Sequence, residues 1–161
     1  MIPEIKKILY ATDLSENARY AFGYAISIAD HYNAKITIFH VLEELQADKT
    51  SIATHIIGKE RWKELRTKNE QKVIETIKSR LEKFCDEVAN KIPKCRVFTD
   101  EMIVKIGHPA NEILNEANNA SYDMVIMGTH GMGMLEEVVM GSTARRVVRR
   151  CKKPVLTVRL P

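Results

Sequence analysis

Short apolar runs rich in β-branched residues alternate with segments whose apolar residues recur every three or four positions, from residue 5 to the end of the chain. This alternation constrains the fold more than any single motif, because strand–helix–strand units in series close as a mostly parallel sheet covered by helices. The clearest strand, KITIFHVL over 35–42, is apolar on both faces, as a strand must be when helices lie above and below it. Ahead of it, IKKILYAT over 5–12 ends in an apolar run and meets Asp13, Leu14 and Ser15, which are turn and cap chemistry. Between these strands Ala18, Phe22, Ala25, Ile26, Ala29 and Tyr32 form one helical stripe over 16–32, with Asn33 as its stop.

Residues 43 to about 60 lose periodicity around Gly58 and read as an insertion over the sheet edge. A long helix follows, its stripe running from Ile74 through Ile77, Leu81, Phe84, Cys85 and Val88 to Ile92, where Pro93 ends it. A third strand lies within 95–107, clearest over Met102 to Ile106. His108 and Pro109 then start a short helix that turns Ile113, Leu114 and Ala117 inward. The run DMVIM over 123–127 is a fourth strand. A last helix carries Val147 and Val148 to about Cys151, Lys152 and Lys153 follow where the helix dipole favours cations, and PVLTVR from Pro154 is a fifth strand. The prediction is one α/β domain over 1–161, with neither a second domain nor an internal repeat.

With 161 residues the chain is long enough to bury a core without staples. Its 25 basic against 21 acidic residues give +4, which permits an anionic partner but is too even to announce nucleic acid. Cys85, Cys95 and Cys151 form no C-x-x-C spacing, so a disulfide framework and a zinc knuckle are both disfavoured. No run approaches the ~18 apolar residues of a membrane span, and Pro3, Glu4, Lys6 and Lys7 break the N-terminus. These features favour a cytoplasmic protein with no membrane or nucleic-acid partner.

The most informative stretch is GTHGMGMLEEVVMGST over 128–143. A Walker A loop would need lysine where Met134 stands, and a dinucleotide fingerprint would need glycine where Glu136 stands. What remains is G-x2-G-x9-G-[ST], formed by Gly128, Gly131, Gly141 and Ser142, with Thr143 following. Glycines can bring backbone N–H groups close to phosphate oxygens, and Ser142 and Thr143 can donate hydroxyl hydrogen bonds. The alternative reading is that these glycines only shape a loop and Ser142 only caps a helix. Asp13 is likewise either a helix cap or a ligand contact. Val41 alone suits a core position, His130 an exposed loop, and His40 a structural place in strand two.

This loop, with the N-terminal KKILYATDLS and the closing KKPVLTVR, resembles the universal stress protein family, in particular its nucleotide-binding branch, over essentially the whole chain. The resemblance implies an open five-stranded sheet of order 3-2-1-4-5 with helices on both faces, the adenine nucleotide alpha hydrolase-like architecture. It implies an adenine nucleotide at the switch point between strands one and four. Ala11, Thr12 and Asp13 would line the adenosine side and Val41 would contact the base. Met127, Gly128, Thr129, His130 and Gly131, with Gly141, Ser142 and Thr143, would hold ribose and phosphates.

The implied ligand is AMP, or ATP with or without Mg or Mn. The implied function is a stress-response or regulatory switch working as a homodimer through its C-terminal strand. The alternative is a dimeric interaction protein of the same fold that binds no nucleotide. Two departures stand out: Ala11 where many nucleotide-binding members have proline, and a segment 132–140 with no basic residue and two carboxylates, Glu136 and Glu137. Catalytic residues are not indicated, because phosphoryl transfer needs positioned cations that the loop lacks. Arg145, Arg146, Arg149 and Arg150 read as a solvated or dipole-complementing face. A nucleotide-dependent transferase would need a substrate pocket that this short chain scarcely has room to build.

Overall fold

The computed structural model describes residues 2–43, 59–91, 98–119, 121–131 and 140–161. Five strands alternate with four helices: β1 (Lys7–Ala11), α1 (Glu16–Tyr32), β2 (Lys35–Glu43), α2 (Lys59–Lys91), β3 (Thr99–Gly107), α3 (Pro109–Asn119), β4 (Met124–Gly128), α4 (Ser142–Arg150) and β5 (Val155–Val158). The sheet order is β3-β2-β1-β4-β5 and every pairing is parallel, as the alternation and the resemblance predict.

Period-two alternation along β1 divides the core between the two faces of the sheet. Ile8 and Tyr10 join Ala21, Phe22, Ala25 and Ile26 of α1 and Leu81 and Phe84 of α2 on one face. Leu9 and Ala11 join Ala110, Ile113 and Leu114 of α3 and Ala144 and Val147 of α4 on the other. Two helices therefore cover each face, which explains why β1, β2 and β4 are apolar on both sides. β3 lies at an edge and is only half covered, so it tolerates Asp100, Glu101 and Lys105.

Local chemistry sets the element ends. Ser15 caps α1, its hydroxyl accepting the Ala18 N–H at 3.2 Å, and Asn33 closes the helix in the left-handed region at φ 52°. Strand ends differ slightly from the sequence reading. β1 stops at Ala11, beyond which the Thr12 N–H makes the last ladder bond to Phe39 O at 2.9 Å before the chain turns. Asp123 stands just outside β4, where one carboxylate oxygen accepts the N–H groups of Lys6 and Lys7 at 2.7 and 2.8 Å. β3 begins at Thr99; Cys95, the stop at Ile92 and Pro93, and most of the expected insertion at 43–60 lie outside the described residues.

Candidate functional site

The winding reverses at β1. The chain moves from β1 through β2 to β3 on one side, then crosses to β4 and β5 on the other. Loops leaving β1 and β4 must therefore diverge, and a crevice opens outside their carboxyl ends. A cavity of about 490 Å³ lies there, and all twelve residues nominated from the sequence line it: Ala11, Thr12, Asp13, Val41, Met127, Gly128, Thr129, His130, Gly131, Gly141, Ser142 and Thr143. Its volume falls within the ~300–1,000 Å³ typical of small-molecule sites. Phe39, His40, Leu42, Glu43, Pro109 and Ile113 also contribute. Val41 sits inside β2 rather than at its end, because that strand runs on to Glu43.

The β1–α1 turn holds itself. Leu14, in the left-handed region at φ 66°, donates its N–H to Thr12 Oγ1 at 3.0 Å, and Ser15 donates its N–H to Asp13 Oδ1 at 3.0 Å. Ser15, not Asp13, therefore caps α1, while Asp13 orders the turn ahead of it. A Cβ added at Gly131 would come within 2.7 Å of Asp13 Oδ2, so the carboxylate leans against the glycine loop.

Gly128 and Gly141 also pack closely against the chain itself. A Cβ at Gly128 would stand 3.2–3.3 Å from Asn17 and the Ala18 nitrogen in the first turn of α1, and one at Gly141 would stand 3.2 Å from the Thr129 carbonyl oxygen. That same oxygen accepts the Gly141 N–H at 2.8 Å, pinning the two ends of the loop together. Gly141 is the N-cap of α4, and Ser142 is its first helical residue. Ser142 is exposed at the rim, and the first N–H groups of α4 stand beside the cavity.

Asn17 was not nominated from the sequence, yet it organises the floor of the site. It is buried, and with its amide oriented to satisfy its neighbours the oxygen accepts the His130 N–H at 2.9 Å while the nitrogen donates to Val158 O at 3.0 Å. One side chain thus ties α1 to the end of β5 and the start of the glycine loop. The readable signal is a polar residue at the i−4 position of Ala21 on the apolar stripe. Asn17→Ala is expected to lower stability by about 1–3 kcal/mol, since buried partners lose their bonds, and urea denaturation measures it.

His40 is a buried histidine, as the sequence suggests, but it also lines the cavity. Its Nδ1 lies 2.7 Å from Thr12 O, so Nδ1–H donates and Nε2 is left as an acceptor. Burial lowers its pKa from the ordinary histidine value, against smaller opposing pulls from the Thr12 hydrogen bond and the Asp13 charge. The unfolded chain then binds the proton more readily than the native one. This contribution is present above about pH 6.5 and is lost as pH falls through the lowered native value. Urea midpoints should drop between about pH 7.5 and 5.5, and His40→Asn should flatten that drop.

Among the described residues, no group of three or more His, Cys, Asp or Glu side chains could hold a metal ion, and no helix is long and apolar enough to cross a membrane. Glu136 and Glu137 lie outside the described residues.

Comparison with known proteins gives a consistent picture. Residues 4–159 match the profile of the universal stress protein family. Universal stress protein MJ0577 of Methanocaldococcus jannaschii is 29% identical over 161 residues, covering 96% of this chain and 94% of that one. A solved structure of MJ0577 superposes with a TM-score of 0.76 at 28% identity, covering 99% of both chains. A universal stress protein from Archaeoglobus fulgidus, solved in complex with dAMP, shares the fold at a TM-score of 0.55 and 16% identity, covering 96% and 97%.

Proposed function

The chain belongs to the universal stress protein family, and from that premise we propose that it binds an adenine nucleotide, AMP or ATP, at the β1–β4 switch point and acts as a stress-response or regulatory switch. One observation carries the reading: the residues nominated from sequence for adenosine and phosphate surround a single cavity of about 490 Å³. Ala11, Val41 and Met127 offer an apolar wall suited to a base. Ser142 and Thr143, beside Gly141, present backbone N–H groups and hydroxyls suited to phosphate. The dAMP complex of the Archaeoglobus fulgidus relative supports the ligand class.

Catalysis is not part of the proposal. The described wall of this cavity brings Asp13, His40, His130 and Glu43 but no lysine or arginine to neutralise charge in a phosphoryl transition state. Where ATP is the ligand, Mg or Mn would accompany its phosphates as part of the nucleotide. A cytoplasmic setting fits Cys85 and Cys151, neither of which is in a disulfide. We further read β5 as the pairing edge of a homodimer, because it ends the sheet with Val155 and Leu156 half-buried. A monomer mass in light scattering at micromolar concentration would contradict that assembly.

The direct test is to denature the purified protein and identify any released nucleotide by chromatography, with calorimetry of AMP, ATP and adenosine on the emptied protein. An adenine nucleotide in the supernatant, or measurable heat for AMP or ATP, is the expected result. Neither would be found for the alternative, a dimeric interaction protein that binds no nucleotide.

A further inference from the structure

A second cavity, of about 410 Å³, adjoins the first and shares Glu43, Pro109, Ser142 and Thr143 with it. Its distinctive lining is His108 with Arg145, Arg146, Arg149 and Arg150 of α4. The four arginines, with Ser142, follow the i, i+3, i+4, i+7, i+8 spacing of one helical face, while Ala144 and Val147 are buried on the other. An amphipathic helix here carries guanidinium groups where a solvated face would ordinarily mix both signs of charge.

That concentration is costly. Arg145/Arg149 and Arg146/Arg150 are like-charge i, i+4 pairs, which destabilise a helix. The helix dipole accounts for Arg149 and Arg150 in the last turn, but it opposes Arg145 and Arg146, which stand within the first turn or so of a nine-residue helix. The dipole-complementing part of that reading therefore covers only Arg149 and Arg150, while Arg145 and Arg146 are exposed, as its solvated part has it. Among the described residues none of the four is in an ion pair, and Glu43 is the one carboxylate lining the cavity. A concave wall of one sign focuses its field and concentrates counter-ions within it.

We propose that this arginine-lined cavity is a second anion site that takes a chain of two or more phosphates. Guanidinium forks match phosphate oxygens bidentately, and two adjacent i, i+4 pairs, each spanning about one turn, suit successive phosphates better than a single small anion. Its volume of about 410 Å³ suits a small phosphate chain better than a nucleic-acid strand. The inference does not depend on adenosine binding. The chain can arrive free or as the tail of a nucleotide seated in the adjoining cavity.

The probe is inorganic tripolyphosphate, titrated by calorimetry into the full chain with and without added AMP. Wild type is expected to bind it more tightly than monophosphate and less tightly as salt rises. Arg145→Gln/Arg149→Gln and Arg146→Gln/Arg150→Gln, all exposed positions, should each weaken it by about tenfold or more. Lys152→Gln/Lys153→Gln, outside the cavity, should not, and circular dichroism checks that every variant is folded. If ATP displaces tripolyphosphate and the arginine variants lower ATP but not AMP affinity, the chain belongs to a nucleotide. If tripolyphosphate and nucleotide bind together, it is free polyphosphate. No tripolyphosphate binding, an equal loss in the lysine variant, or tighter binding of a single-stranded oligonucleotide overturns the proposal. Normal AMP binding without tripolyphosphate binding would leave the nucleotide reading standing, and the converse would remove that reading alone.

Discussion

The Ser142→Asp variant is expected to bind AMP and ATP about a hundredfold more weakly while keeping wild-type stability and near wild-type affinity for adenosine. Ser142 is the first residue of α4 and is exposed at the cavity rim. A carboxylate there is welcome to the helix, since negative charge near its N-terminus contributes about 0.3–1 kcal/mol. The same carboxylate would stand beside the proposed phosphate position. Two like charges about 4 Å apart repel by about 4 kcal/mol at an effective dielectric near 20, and solvent at the rim removes part of this. Calorimetry of AMP, ATP and adenosine, paired with thermal melts, separates the outcomes. Unchanged AMP affinity in the folded variant would remove α4 from the phosphate site. This substitution tests the ligand more cleanly than replacing Gly128 or Gly141, where a new side chain would first disturb packing against Asn17, Ala18 and Thr129.

The largest stability effect is expected from Phe22→Ala, at about 3–5 kcal/mol. Phe22 is fully buried, with its ring centroid 4.7 Å from Tyr10 on β1 and 4.9 Å from Phe84 on α2. It is the aromatic link between the central strand and both helices of one face. Truncation removes two ring contacts and leaves a cavity that three separate elements would have to move together to fill. Against a typical total of about 5–15 kcal/mol, this loss should leave the domain marginal or unfolded at physiological temperature. Urea denaturation measures it. A loss under about 1 kcal/mol would show that α2 closes over the gap.

The same residue shows how much was legible. Phe22, Ala25, Ile26 and Ala29 announce the buried stripe of α1 through spacing alone, and Pro109 marks the start of α3. The sequence also brings Asp13, Gly128 and Ser142 forward as site candidates, and they line one cavity. Asn17 escaped notice because a polar residue in the first turn of a helix reads as solvated until its amide is seen between His130 and Val158. The four arginines read as a solvated or dipole-complementing face, and all four are exposed. Their spacing puts them on one face of α4, but the cavity they line with Glu43 and Pro109 comes from the fold. The sequence left the glycines to a ligand or to the shape of the loop, and at Gly128 and Gly141 the chain also approaches itself closely.

Periodicity and turn chemistry are local properties, carried by residues a few positions apart. The sequence by itself therefore determined the alternating elements, the parallel sheet with helices on both faces, and the loop that follows the fourth strand. Contact between Asn17 and His130, or between Asp13 and Gly131, joins residues more than a hundred positions apart. Such contacts depend on how the sheet is wound, and on where β1 and β4 leave the crevice between them. The tertiary structure alone decided that two cavities share one rim, and that the second is lined by positive charge the first lacks.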